Sequence, residues 1–181
     1  MAKKYYVFGG VLSICLLADQ LSKEWVVRNL RYAVDEVPII PGFLSMVHAQ
    51  NTGAAFSSFD GQYTFFLVFV AVATVVTFSF LAYLRDEATF IAGVLGMILS
   101  GAWGNGLDRV RFGHVTDFIR VYTEIPSLKA KLIENFGTAT WPIFNIADSV
   151  LLVGVSLFLV HYLFVEDTDT VDPEEADEEL S

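Results

Sequence analysis

Asp117 and Asp148 are the residues of this sequence best suited to chemistry, because neither has an obvious base beside it. Asp117 sits in the alternating stretch Gly113-His114-Val115-Thr116-Asp117-Phe118, and Asp148 lies in an apolar run with no other charge. Two carboxylates brought together share a proton, so one can act as base on a water and the other as acid toward a carbonyl oxygen. Such a pair needs neither a metal nor a nucleophilic side chain. Other hydrolytic chemistries lack their residues. There is no His-Glu-x-x-His, the three histidines (His48, His114, His161) are scattered, and there is no Gly-x-Ser-x-Gly. Ser22 and Lys23 are adjacent, and adjacent helical residues point ~100° apart. Asp19 and Lys23, at i and i+4 with the acid first, do face each other and read as a structural ion pair. Cys15, the single cysteine, reads as a small buried hydrophobe and forms no internal disulfide. On residue types alone, Asp117 and Asp148 fit a water-activating dyad, while Asp19, Asp108 and Asp148 fit the proton relay of a small transporter.

The elements that must carry these residues are membrane spans. The chain has 181 residues, 54% hydrophobic and 18% charged, with a mean hydropathy of +0.53. Its apolar residues are gathered into long runs without charge, which excludes an ordinary soluble enzyme. A spanning helix needs ~20 apolar residues to cross a ~30 Å hydrocarbon core. Tyr63–Leu84 supplies 22 positions without Asp, Glu, Lys or Arg, Ala88–Leu107 supplies 20, and Trp141–Val165 supplies 25 with Asp148 alone charged. The charge-free run Tyr5–Ala18 follows Lys3 and Lys4. No small-x-small cleavage site follows it, so it reads as a retained helix to about Val27 rather than a signal peptide. Four spans place both termini on one side, with Arg85-Asp86-Glu87 as a short link there and two longer loops, 28–61 and 108–140, on the other.

The polar residues that stand out within or beside the spans fall on that second side: Asp19 and Lys23 on span 1, Asn51 before span 2, Asn105, Asp108 and Arg109 on span 3, Asn145 and Asp148 on span 4. Ionisable groups inside a bilayer are costly and usually face a bundle interior or a cavity. Convergence from four segments argues for one site. A snorkelling role suits Asp108, near a helix end, better than Asp148, which this reading places about seven residues, ~10 Å of helix, inside Trp141. No acid occupies the near half of any span, so a transporter would lack a continuous relay. The Lys and Arg count, three on the terminal side against eight on the other, favours termini outside.

The loops look structured. Pro38, Pro41, Gly42, Gly53 and Gly61 punctuate Val37–Ile40 and Phe43–Val47, which suggests short strands and turns. After Pro126, the residues Leu128, Leu132, Ile133 and Phe136 form one apolar helical face, with Lys129 and Glu134 as polar residues of the same helix. That helix suits either the membrane surface or the loop strands. Residues 166–181 hold nine acids and no base, so the body without them is near neutral and the tail reads as solvated. No basic stripe with aromatics points to nucleic acid.

The blocks Asp19-Gln20-Leu21-Ser22-Lys23, Asn51-Thr52-Gly53-Ala54-Ala55-Phe56, Gly101-Ala102-Trp103-Gly104-Asn105-Gly106-Leu107-Asp108-Arg109, Val115-Thr116-Asp117-Phe118 and Phe144-Asn145-Ile146-Ala147-Asp148-Ser149 resemble, in order, the motifs of lipoprotein signal peptidase (signal peptidase II). The resemblance covers residues 19–149. It implies a bacterial inner-membrane aspartyl endopeptidase that removes the signal peptide from prolipoproteins, cutting before a diacylglyceryl-modified cysteine. It makes Asp117 and Asp148 the catalytic pair, and gives Asp19, Lys23, Asn51, Asn105, Asp108, Arg109 and Asn145 supporting or substrate-binding places. It also implies cytoplasmic termini and a site facing the periplasm, against the charge count. The expected fold is an all-α polytopic membrane protein: four transmembrane helices, a small periplasmic β-rich loop region and a short amphipathic helix. Residues 1–165 would form one membrane peptidase domain and 166–181 an acidic cytoplasmic tail. The expected partners are lipid-modified prolipoproteins and bilayer lipids, with no cofactor, metal or nucleic acid, and the expected state is a monomer. Three features depart from the family pattern: Ser100 before Gly101, the 31 positions from Asp117 to Asp148, and the acidic tail.

Overall fold

The computed structural model describes residues 2–53 and 63–164. The acidic tail and the Ala54-Ala55-Phe56 part of the second motif lie outside them. In order, the elements are α1 (Lys3–Asn29), β1 (Glu36–Ile40), β2 (Leu44–Asn51), α2 (Tyr63–Tyr83), α3 (Thr89–Phe112), β3 (Val115–Val121), α4 (Pro126–Phe136) and α5 (Ile146–Phe164). Four of the five helices, α1, α2, α3 and α5, are long and apolar enough to cross a membrane. The described residues fall into two compact units, 2–18 with 63–107 and 147–164, and 19–53 with 108–146.

The first unit is a bundle of helical segments. The most apolar stretch of α3 is 61% buried, against 11% for each of the other three long helices. So α3 is the enclosed helix, and the others keep the apolar surface that lipid would cover. Its core holds Phe8, Leu81, Leu84, Ile91, Leu95 and Leu99. Small residues let α3 and α5 touch: a Cβ on Gly101 would lie 2.5 Å from the carbonyl oxygen of Ala147, and one on Gly154 would lie 2.9 Å from Cγ1 of Ile98. The ammonium of Lys4, itself buried, donates to the carbonyl of Leu84 just past the end of α2. It also pairs with Asp86 at 3.5 Å, so the near-side link is tied to α1.

The second unit is built on an antiparallel sheet in the order β1-β2-β3. A left-handed Gly42 (φ 74°) makes the β1–β2 turn. Pro38 is tolerated because β1 is an edge strand. The register slips between Met46 and Ala49, a bulge that re-aims the end of β2. Val26 of α1 and Leu30, just past its end, pack with Phe118 of β3. On the exposed connection before β1, the side-chain hydrogen bond from Arg31 holds the Asp35 carboxyl below the usual carboxylate range, aided by the Arg31 backbone N–H.

Two sequence expectations are corrected. Span 4 begins at Ile146, not Trp141, so Asp148 stands in the first turn of α5 rather than ~10 Å inside a helix. The cause is local: Trp141 donates its N–H to Val121, and Phe144 bridges to Ile119, so 141–144 is extended backbone alongside β3. Span 3 runs past Leu107 to Phe112 and carries Asp108, Arg109 and Arg111 as helical residues. The expected apolar helix is α4. Pro126 opens it, where a missing N–H costs nothing, and a left-handed Gly137 closes it.

Candidate active site

Gly113 (φ 76°) ends α3 by donating its N–H to Arg109, and turns the chain directly into β3. Asp117 then falls opposite Ala49 in the β2–β3 register, and Val115 opposite Asn51. The side chain of Asn51 donates to Oδ2 of Asp117 at 3.0 Å. Asn145, fully buried, donates to Oδ1 of Asp117 at 2.7 Å and to the carbonyl of Thr116 at 3.4 Å. Each oxygen of a carboxyl that is itself only 3% exposed therefore accepts an amide hydrogen. Two amide donors, one on each oxygen, fix the plane of the carboxyl group.

Beside this lies a buried charge network. Lys23 pairs with Asp19 at 2.9 Å and with Asp108 at 3.2 Å, all three side chains being at most 4% exposed. Gln20 donates to Asp19 at 3.0 Å and to Asp108 at 3.3 Å. The N–H of Thr116 donates to Oδ2 of Asp108 at 3.0 Å. The i,i+4 pair read from the sequence is thus half of a three-residue network. The snorkelling reading of Asp108 gives way, because this acid is buried and bound rather than directed to the interface. Such a network is expensive to desolvate and more expensive to break on one side.

In the first unit, Asn105 of α3 donates to Oδ1 of Asp148 at 2.7 Å. The two helices approach here because Gly101, one turn before Asn105, carries no Cβ against Ala147, the residue before Asp148. Asp148 occupies the first turn of α5, where the helix dipole favours an acid. Asn105 and Asp148 are both half-buried.

Of the nine residues singled out, six (Asp19, Lys23, Asn51, Asp108, Asp117 and Asn145) are joined through hydrogen bonds and ion pairs in the second unit. Asn105 and Asp148 form a pair in the first. Arg109 follows Asp108 on α3 and is half-buried. Sequence reasoning gave no role to Gln20 or to the Thr116 backbone, although both stand inside quoted motifs. Gln20 had one readable signal, its place beside Asp19. The Thr116 peptide had none, since a backbone donor leaves no mark on residue type.

The sequence profile of the family described as signal peptidase (SPase) II matches residues 11–164. The chain belongs to the signal peptidase II family. Among its relatives, the lipoprotein signal peptidase of Geobacter metallireducens is 38% identical over 160 residues, 87% of this chain and 90% of that protein. The lipoprotein signal peptidase of Lactococcus lactis subsp. cremoris SK11 is 38% identical over 158 residues, 87% of this chain and 94% of that protein. A solved structure of a bacterial membrane enzyme, obtained by the in meso method at 1.9 Å resolution, has a TM-score of 0.72 at 29% identity. It covers 92% of this chain and 99% of its own. The resemblance drawn from the five motif blocks is therefore confirmed, and with it a bacterial multi-pass membrane peptidase family.

Proposed function

We propose that this chain is an aspartic endopeptidase that removes signal peptides from diacylglyceryl-modified prolipoproteins, cutting just before the lipidated cysteine, with Asp117 and Asp148 as its catalytic pair. The observation that carries the reading is the grip of Asn145 on Asp117. Asn145 precedes Asp148 by three residues, so their Cα atoms are at most about 11 Å apart along the chain. The residue that orients one acid thus leads directly into the other.

The mechanism follows from what each group holds. A water between the two carboxyls attacks the scissile carbonyl carbon. One carboxylate takes its proton, and the protonated partner donates to the carbonyl oxygen, giving a neutral tetrahedral intermediate. Collapse breaks the C–N bond, and the proton goes to the leaving amine of the cysteine. Asn51 and Asn145 keep Asp117 in one plane throughout, and Asn105 does the same for Asp148. Lys23, Asp19 and Asp108 act indirectly, by fixing the Thr116 peptide.

We place the termini in the cytoplasm and the site toward the periplasm. Four of the eight cations that argued otherwise are held in local ion pairs: Lys23, Arg28 with Glu24, Arg31 with Asp35, and Arg120 with Glu36. The orientation rests on the family resemblance, against the Lys and Arg count.

The test is processing of a diacylglyceryl-modified model precursor by the purified chain. Product masses should locate one cut immediately before the modified cysteine, and the unlipidated precursor should remain whole. No cleavage of the lipidated form, or equal cleavage of both, contradicts the assignment.

A further inference from the structure

Helix α4 and the strand ends beside it enclose a groove for which the peptidase chemistry has no use. The groove holds a cavity of about 920 Å³, at the upper end of the ~300–1,000 Å³ typical of small-molecule sites. Leu128, Leu132 and Phe136, at i, i+4 and i+8, form its wall on α4. Phe43, Tyr122 and Trp141 line it from the β1–β2 turn, the end of β3 and the extended segment before α5. Among the described residues lining it, Glu124 alone is charged. No residue of α4 is buried, and Phe136 and Trp141 are 75% and 68% exposed. Neither alternative left by the sequence is complete, because α4 stands against the strands without closing on them. Apolar walls of this extent are unfavourable in water and mark a binding surface.

Three observations select the occupant. Trp141 and Pro142 both line the groove, and α5, a helix of membrane-spanning length, starts at Ile146. Four residues reach about 14 Å at most, so the groove adjoins the first turn of a span. Lys129 and Lys131, both exposed, flank the Leu128–Leu132–Phe136 stripe on its two sides. In that arrangement lysine stems lie along apolar surface while the ammonium groups reach anionic headgroups. Trp141 and Tyr122 are the residue types that gather at the bilayer interface. We infer that this groove binds an acyl chain of a bilayer phospholipid, with α4 lying in the headgroup layer and its stripe turned to the chain. Because β3 runs from Asp117 to the groove at Val121 and Tyr122, the bound chain ties the strand that carries Asp117 to the bilayer surface.

The experiment uses the full chain in vesicles of phosphatidylcholine and phosphatidylglycerol, with a trace of phosphatidylcholine bearing a mid-chain diazirine. After irradiation, adducts are mapped by mass spectrometry. Adducts are expected on the peptide spanning Leu128–Trp141 as well as on the exposed face of α2. Leu132→Trp, which fills the groove, should remove the first set and leave the α2 set unchanged. Adducts confined to α1, α2, α3 and α5 overturn the inference. So do α4 adducts indifferent to Leu132→Trp, which would mean surface contact without a bound chain. Displacement by a diacylglyceryl-modified peptide also overturns it, because the groove would then serve substrate. Asp117→Asn should label as the unaltered chain does, so the outcome is read independently of the peptidase assignment.

Discussion

Oδ2 of Asp108 accepts the backbone N–H of Thr116 at 3.0 Å, so a buried carboxylate near the end of α3 fixes the residue immediately before Asp117. Asn145 holds the other side of the same residue through the Thr116 carbonyl. Asp117 is thus located by its neighbours' backbone as well as by the amides on its own oxygens. Residues from all five motif blocks combine, in physical terms, into one device for holding a carboxyl still.

Removing the cation at the centre of this device should be severe. Lys23→Met removes the ammonium that the buried Asp19 and Asp108 share, and breaking a buried pair this way costs about 3–5 kcal/mol. Thermal unfolding in detergent should show a large fall in midpoint. Adding Asp19→Asn and Asp108→Asn to Lys23→Met should recover much of it. A triple variant no more stable than Lys23→Met would show that the loss comes from packing.

Asn145 should show two effects at once. Asn145→Leu strips the amide from Oδ1 of Asp117 and leaves the Thr116 carbonyl short of a donor, a destabilisation of about 1–3 kcal/mol. Cleavage should fall further than stability does, because misplaced reacting groups are penalised about 10²-fold. The comparison is kcat/KM for a lipidated precursor against midpoint, with Asn51→Ala as the milder companion on Oδ2.

How far was this legible beforehand? The spans were, because a bilayer demands charge-free runs whatever the side chains pack against. The i,i+4 ion pair was, because helical spacing alone brings Asp19 to Lys23. The start of α5 was not: Trp141–Phe144 is as apolar as a span, and only its pairing with Val121 and Ile119 shows it to be extended. The second acid on Lys23 was hidden too, since Asp108 lies 85 residues away and reaches it only through the fold. The motif resemblance named residues that the structure joins through hydrogen bonds and ion pairs, but it did not say which amide holds which oxygen.

The glycines offer a graded test of the α3–α5 contact. Gly101→Ala drives a methyl into the carbonyl of Ala147 at 2.5 Å, a backbone atom that cannot step aside. Overpacking of this kind costs about 1–3 kcal/mol. Because Asn105 is one turn away, Gly101→Ala should also slow cleavage. Gly154→Ala meets chiefly the Ile98 side chain and should cost less. Gly9→Ala, which meets nothing within 4 Å, should be neutral or slightly stabilising in the same melt.

The central claim is that Asp117 and Asp148 act as a pair on one water. It is tested most directly by the rate at which Asp117→Asn, Asp148→Asn and the double variant cleave a diacylglyceryl-modified precursor, each first shown to keep the thermal midpoint of the parent within a few degrees. Each single change should lower the rate by about 10²–10⁴-fold or more, the worth of a positioned acid or base. The double variant should be little worse than either, as expected of groups that work as a unit. Near-parental cleavage by either single variant, or losses that multiply as for independent residues, would contradict the account.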